Sequence, residues 1–519
     1  MLATVIGTTA AVGSCGYGPG SNSPISAAVD GTRLDRDASL IIATIAVPTG
    51  FDPHRERTSA DRPYYLPIFD RLTTKSASGE VRPMLAESWE TASDGMSMRM
   101  TLREGVRFHD GTPFDATAVT MSIDRARSIE GSTVKQYLAA LDSVEEVAPL
   151  EVVFRYNVPT LEFDALLSGP VGAMISPAAL ADPGRDLRSD PGDAGTGPYL
   201  VDRFVPSQSV SYVRAPEPNW DPEAGNLASF EIRNIPDNRT RDSAIRAGEV
   251  DVAYINGAAM EAVQQAKLMA EGGTLVFVER PTSVLSTLFL HPDRLTDPRI
   301  REALVRGIDR DAIADGYFQG TCVSSGQLAR EGFDGHIDDF VDPYPYDPER
   351  ARELLAEAGA QPLQLELTYP TTRGEALPVI SSDNLTDIGV DVTLRPAASL
   401  ESVTWYRTGQ TDSFMYAINS EPTLPNTVRW IQNWSSYKDA TLNTSVSAAA
   451  GATDEEQRTR ATQDLVETLA EAAVFVPICH MNTFFLVDSD VVGFDEALTG
   501  ETQFMMDLRY VGRAAEDAR

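Results

Sequence analysis

Residues 85–119 read LAESWETASDGMSMRMTLREGVRFHDGTPFDATAV, and their punctuation decides the fold class. Within them MSMRMTL, 96–102, places apolar residues at every second position, the period of a strand with one buried face. Asp110 and Gly111 mark a turn. Asp115 then stands where an N-cap belongs, and Val119, Ile123 and Ala126 follow at helical spacing within 116–127. The order is strand, turn, helix.

Working outward, the same alternation returns on both sides. SLIIATIAV, 39–47, is an apolar, β-branched run ended by Pro48, Gly50 and Pro53, and predicts a buried strand. A helix started by Asn238 or Thr240 runs through Ile245 to Gly248, and a strand over 249–255 follows. Asp297 and Pro298 open a helix with Ile300, Ala303, Leu304 and Ile308 on one face, and Asp309 starts another helical turn. Asp347 caps a helix with proline at its first position, an apolar stripe of Leu354, Leu355 and Ala358, and a stop at Gly359. Strands over 363–368 and 390–394 flank a further helix. Helix and strand alternate in both halves, so the fold class is α/β.

At 519 residues the chain is long enough for two or three domain-sized cores. Its 76 acidic residues against 43 basic ones give a net charge of −33, which repels phosphate backbones and argues against a nucleic-acid partner. The first fifteen residues, MLATVIGTTAAVGSC, are apolar or small and too short to span a bilayer; they read as a lipoprotein signal segment. Val12-Gly13-Ser14-Cys15 resembles a lipobox, with Cys15 the lipidated residue, and the Gly/Ser/Pro-rich stretch within 16–38 reads as a flexible tether. The mature body is then extracytoplasmic and held at the cell membrane by a lipid anchor. Outside the cytoplasm the two remaining cysteines, Cys322 and Cys479, are candidates for a disulfide.

Five segments in order carry a resemblance to a known family. They are 85–119; GTGPY at 195–199 with Asn219 and Trp220 downstream; IPDNRTRDSAIRAGEVDV at 235–252; DPRIREALVRGIDRDAI at 297–313; and YDPERARELLAEAG at 346–359. Together they resemble extracellular solute-binding protein family 5, the dipeptide, oligopeptide and nickel binding proteins of ABC importers. The resemblance implies a two-lobed periplasmic-binding-protein-like fold of type II with two hinge strands. The N-terminal lobe is expected over 39–290 plus 478–519, with an extra subdomain at about 81–194, and the second lobe over 291–477. Hinge strands are expected at 283–290 and 474–481. The implied partners are a small polar ligand, peptide-like before all, and the permease subunits of the importer, with the chain itself a monomer.

Nothing in the sequence calls for catalysis, a cofactor or a metal. His54, His109, His291, His336 and His480 are scattered without zinc-site spacing, and neither G-x-S-x-G nor a Walker loop occurs. The pair His109 and Asp110 reads as a turn rather than a proton relay, and Trp89, Phe108, Phe114 and Trp220 read as packing. For ligand contact the expected residues are Thr44, Ile45 and Thr49 after the first strand. A second set is Trp405, Tyr416, Asn419, Glu421 and Trp434, around FMYAINSEPTLPN at 414–426. In peptide-binding relatives a tryptophan and an aspartate follow the equivalent strand; both are missing here, and Glu421 is the substitute carboxylate. Arg373 is placed to hold an anionic group. The tryptophans of the 405–434 window keep an oligosaccharide ligand open as the alternative, and a ligand sensor without a transport role is a third reading.

Overall fold

The computed structural model describes residues 33–516 apart from 46, 57, 77–78, 258, 334, 372–373, 420–422, 436, 438 and 501–504. The signal segment, Cys15, Arg373 and Glu421 therefore lie outside the described residues, and so does the side chain of Trp434.

One eleven-stranded sheet runs through both lobes. From one edge its strands are Val390–Ala397, Leu363–Pro370, Ser413–Ile418, Leu275–Leu290, Phe475–Asp488, Val252–Ile255, Ser39–Thr44, Ser229–Asn234, Ser209–Arg214 and Tyr199–Val205, with Cys322–Ser324 added beside Phe475–Asp488. The two central strands are long and antiparallel, and each serves both lobes. Leu285–Leu290 pairs with Ile418–Ser413 on the second-lobe side, while Phe484–Val487 pairs with Ile255–Val252 on the first-lobe side. Their mutual ladder breaks between Pro281 and Leu285. There the Thr282 hydroxyl donates to the Met481 carbonyl at 2.6 Å, and the Ser283 amide donates to the Gly500 carbonyl at 2.8 Å. The backbone groups that leave the ladder are thus satisfied elsewhere, as burial requires.

Apolar cores cover both faces of the sheet on each side of this crossing. In the first lobe one gathers around Leu40, Ile42, Tyr199 and Phe485, the other around Ala43, Ile245, Val263 and Phe484. Neighbours such as Ile42 and Ala43 face opposite cores because side chains alternate along a strand. The second lobe repeats the arrangement around Leu304, Leu355 and Leu367 on one face and Phe289, Phe414 and Leu465 on the other.

A fifth core belongs to residues 85–119 and their surroundings. Ala86–Thr91, Ser97–Leu102, Glu151–Tyr156 and Leu141–Ala148 form a separate four-stranded sheet, and the helix Ala116–Ser128 packs against it. Met98, Met100 and Leu102 are buried on one face, as their period-two spacing requires, and the Asp115 carboxylate caps the helix by accepting from the Ala118 amide at 3.1 Å. Asp110 accepts from the Thr112 amide at 2.8 Å and so serves the turn, whereas His109 bonds the Gly197 carbonyl at 2.7 Å and ties the turn to the distant 195–199 segment.

The segment at 195–199 is a packing device as well. The Gly197 amide donates to the Ile68 carbonyl at 2.8 Å, and a Cβ at Gly195 or Gly197 would come within 2.0 or 2.3 Å of the 67–68 backbone. Only glycine fits. Beneath it lies a buried ionic cluster: Arg509 pairs with Asp70, Arg71 pairs with Asp507 at 2.9 Å, and Trp220 donates to Asp70 at 2.5 Å. Removing one member of such a cluster leaves an uncompensated charge, at a cost of roughly 3 to 5 kcal/mol. This cluster fastens the C-terminal stretch to the first lobe.

Three elements differ from their sequence expectation in ways that bear on the site. The first strand ends at Thr44, three residues short, and the chain bends at Ile45. The strand expected over 249–255 begins at Val252, because the Asp251 carboxylate turns away to accept from the Ile41 amide at 2.7 Å and to pair with Arg513. The helical turn expected from Asp309 widens into a π-type turn, Ala312–Tyr317, a feature found often at functional sites.

Candidate functional site

A cavity of about 470 Å³ draws its walls from both lobes. The first lobe supplies Ile45, just past the end of Ser39–Thr44, and Asn256, just past the end of Val252–Ile255. The second supplies Tyr369 and Pro370, at the end of Leu363–Pro370, and Met415 to Ala417 near the end of Ser413–Ile418. In α/β sheets the carboxyl ends of parallel strands are where ligands bind, because the backbone there is released from the ladder and loops diverge. Ser286 and Met481 of the crossing strands form the floor, Tyr317 and Phe318 enter from the π-type turn, and Glu375 stands exposed at the rim. The volume lies within the 300–1,000 Å³ of small-ligand sites, and the lining is mostly apolar with a few polar groups. A wider hollow of about 940 Å³ at Arg127, Thr133, Lys135 and Asn157 is formed by the extra subdomain alone. It has no wall from a second lobe to close over a ligand.

Away from the crossing strands, side chains of the two lobes also meet among the described residues. The Asn419 amide donates to the Ser59 hydroxyl at 2.8 Å, Arg458 pairs with Glu162 at 2.8 Å, Gln264 bonds Gln319 at 2.7 Å, and the Thr321 hydroxyl approaches the Met260 sulfur at 3.3 Å. A disulfide joins Cys322 to Cys479, with the Cα atoms 5.6 Å apart. It ties the strand after the π-type turn to the crossing strand, and Cys322 touches Met481 of the cavity floor.

The residues expected at the ligand divide into three groups. Ile45 and Tyr416 line the cavity, and Asn419 sits at the contact between lobes. Thr44, Thr49 and Trp405 are engaged elsewhere. Thr44 is buried against the Tyr64 hydroxyl at 3.3 Å, and Thr49 gives its amide and hydroxyl to Asp61 at 2.7 and 2.9 Å. The Trp405 ring is covered by the Arg395 guanidinium 4.3 Å from its centroid. Arg373 and Glu421 are outside the described residues, although Gly374 and Glu375 beside Arg373 do line the cavity. Residue-by-residue reading missed Tyr317, Phe318, Tyr369, Glu375 and Met481. They share no local signal: Tyr369 stands at a strand end, Tyr317 and Phe318 close the π-type turn, Glu375 precedes the helix Ala376–Asp387, and Met481 lies within a crossing strand.

The titratable groups here are tuned by burial rather than by reacting partners. Burial raises the Tyr317 hydroxyl, and burial followed by the nearby Glu375 charge raises that of Tyr369, so both phenols stay neutral donors. Among the described residues no group of three His, Cys, Asp or Glu could hold a metal ion, and no helix is long and apolar enough to cross a membrane.

Comparison with known proteins gives a consistent set of likenesses. The model of the bacterial extracellular solute-binding proteins, family 5, matches residues 80–439. The glutathione-binding protein GsiB of Pectobacterium atrosepticum is 30% identical over 325 residues, 62% of this chain. The chain spans about 61% of the length of that curated relative. Among solved structures, CtaP of Listeria monocytogenes superposes with a TM-score of 0.81 at 20% identity, over 93% of this chain and 100% of its own. NikA of Brucella suis, solved with Fe(III)-EDTA, gives 0.76 at 24% identity over 88% and 96%. DppA of Helicobacter pylori, solved with the peptide STSA, gives 0.78 at 20% over 92% and 98%.

Proposed function

The chain belongs to family 5 of the bacterial extracellular solute-binding proteins, and from that premise we propose that it is the substrate-binding lipoprotein of an ABC importer. In this reading it captures peptides or similar small polar solutes between its lobes and delivers them to the permease. The observation that carries the reading is the 470 Å³ cavity, walled by strand ends of both lobes and floored by the two crossing strands. A ligand there touches both lobes at once only when they are together. It therefore stabilises the closed pair by contacts that the open pair lacks.

In the proposed protein residues 39–290 with 478–519 form one lobe and 291–477 the other, and closure bends the chain where the ladder opens between Pro281 and Leu285. Ile45, Tyr416 and Asn419 contact the ligand or the closed interface, joined by Glu421 and Arg373. The anchor is a lipid on Cys15, and Cys15→Ala should move the protein from the membrane fraction to the soluble one. Unchanged membrane association would remove the lipoprotein part of the reading.

Ligand class is tested by thermal shift of the purified protein against di- to pentapeptides, glutathione, oligosaccharides and metal chelates. A ligand at 100 times its dissociation constant stabilises by about 2.7 kcal/mol. Shifts with peptides are the expected result. A shift with oligosaccharides alone would replace the peptide reading.

A further inference from the structure

Charge and shape inside the cavity say more about the ligand than the family does. The floor and the second-lobe wall are soft and aromatic: Met481 of the floor and Met415 and Phe318 of the wall are buried, and Tyr317 and Tyr369 stand beside them. Among the described residues that line the cavity, Glu375 is the one with a formal charge. Its carboxylate acts on Tyr369, whose hydroxyl it helps to push up. Aromatic faces attract cations through the ring quadrupole, and a thioether surface adapts to apolar groups of varied outline. The chain's net charge of −33 adds a field that draws cations toward any cleft and turns anions away.

Resting on the solute-binding reading above, we propose that the cavity selects a net cationic amine, with an apolar body against Met415, Met481 and Phe318. Its ammonium group faces the Tyr317 and Tyr369 rings and the Glu375 carboxylate. Asn256 and Ser286 remain as neutral polar groups for the rest of the molecule. The cavity so described discriminates by ligand charge, which a peptide-backbone site with balanced anchors at both termini does not.

Three probes with one body and three charges test this: alanyl-phenylalanine amide (cation), alanyl-phenylalanine (zwitterion) and N-acetyl-alanyl-phenylalanine (anion), each titrated calorimetrically into the purified full chain. The amide should bind at least about tenfold tighter than the zwitterion, and the anion weakest. Glu375 is exposed, so Glu375→Gln leaves packing intact; it should bring amide and zwitterion to within about threefold of each other. Tyr369→Leu should weaken the amide more than the zwitterion. An anion that binds as tightly as the amide overturns the charge inference and leaves the solute-binding reading standing. A preference for the amide untouched by Glu375→Gln and Tyr369→Leu overturns the assignment to these residues. Binding by none of the three overturns both the inference and the peptide reading beneath it.

Discussion

Where the crossing strands join the lobes, contact is made by a backbone ladder, buried hydroxyls and a disulfide; across the cleft, among the described residues, it is made by scattered side-chain contacts. On the first side the Thr287 hydroxyl donates to the Val476 carbonyl at 2.8 Å, Thr282 holds Met481, and Cys322 is bonded to Cys479. On the second side Asn419 reaches Ser59, Arg458 reaches Glu162, Gln264 reaches Gln319 and Thr321 reaches Met260. The difference teaches how one chain is both stable and able to open. Buried, backbone-based contacts carry folding free energy whatever the ligand, whereas a few exchangeable polar contacts set only the balance of open and closed.

The largest expected effect lies on the crossing side. Cys322 and Cys479 are 157 residues apart, and closing a loop of that length stabilises by roughly 4 to 5 kcal/mol in the chain-entropy account. The double variant Cys322→Ala/Cys479→Ala should lose stability of that order in urea unfolding while its ligand affinity changes much less. A loss below about 1 kcal/mol would show that the ladder alone fastens this side.

Next comes acid sensitivity, and it too belongs to the crossing strands. His480 is 2% exposed, and burial, followed by the positive charge of Arg330, lowers its pKa to about 3. Unfolded, it titrates near 6.5, so the folded protein binds fewer protons than the unfolded chain between those values. The stability tied to this neutral histidine is whole above pH 6.5 and falls as pH drops, by about 1.4 kcal/mol per unit at full effect. By pH 4.5 the loss is roughly 2 to 3 kcal/mol. Buried His54, whose pKa burial and Arg125 also lower to about 3, adds a similar slope inside the first lobe. Comparison of wild type with His480→Gln between pH 7 and 4 isolates the crossing-strand share, because His54 and the carboxylates titrate in both. Equal slopes in the two proteins would place acid sensitivity elsewhere.

Legibility in the sequence follows the same division between local and assembled features. Residues 85–119 announced strand, turn and helix because period-two patterning, an Asp-Gly turn and an N-cap are local sequence signals, although the buried face of the strand is covered by residues as distant as 151–156. The cavity was harder to see. Its walls come from Ile45, Asn256, Ser286, Phe318, Tyr369, Met415 and Met481, which only the sheet order brings together. Aromatic density was a poor guide, because stacking energy is useful in a core as well as at a ligand. Trp405 lies under Arg395, and Trp430 packs onto the core around Phe414 and Leu465. Position after the first strand did no better: Ile45 reaches the cavity wall, but Thr44 and Thr49 are held by Tyr64 and Asp61, while Tyr416 of the aromatic window does line the cavity.

The smallest expected effect is on the cleft side, and it separates the two kinds of contact most sharply. Glu162 belongs to the extra subdomain and Arg458 to the second-lobe helix Glu455–Glu471, and each side chain of the pair keeps 23% exposure. A pair this wet contributes at most about 1 kcal/mol, so Glu162→Gln should leave the urea midpoint nearly unchanged. That same amount acts fully on closure if the pair forms only when the lobes are together. A shift of 1 kcal/mol changes the closed fraction and the apparent affinity by up to roughly fivefold, since ligand pays for any closure that the protein no longer makes by itself. Small-angle scattering of the ligand-free variant should then show a larger radius of gyration than wild type, and saturating ligand should bring the two together. Exchanging the charges, Glu162→Arg with Arg458→Glu, should restore both radius and affinity. If Glu162→Gln instead lowers stability while radius and affinity stay as they were, the pair belongs with the crossing strands as a structural contact, and the cleft closes without it.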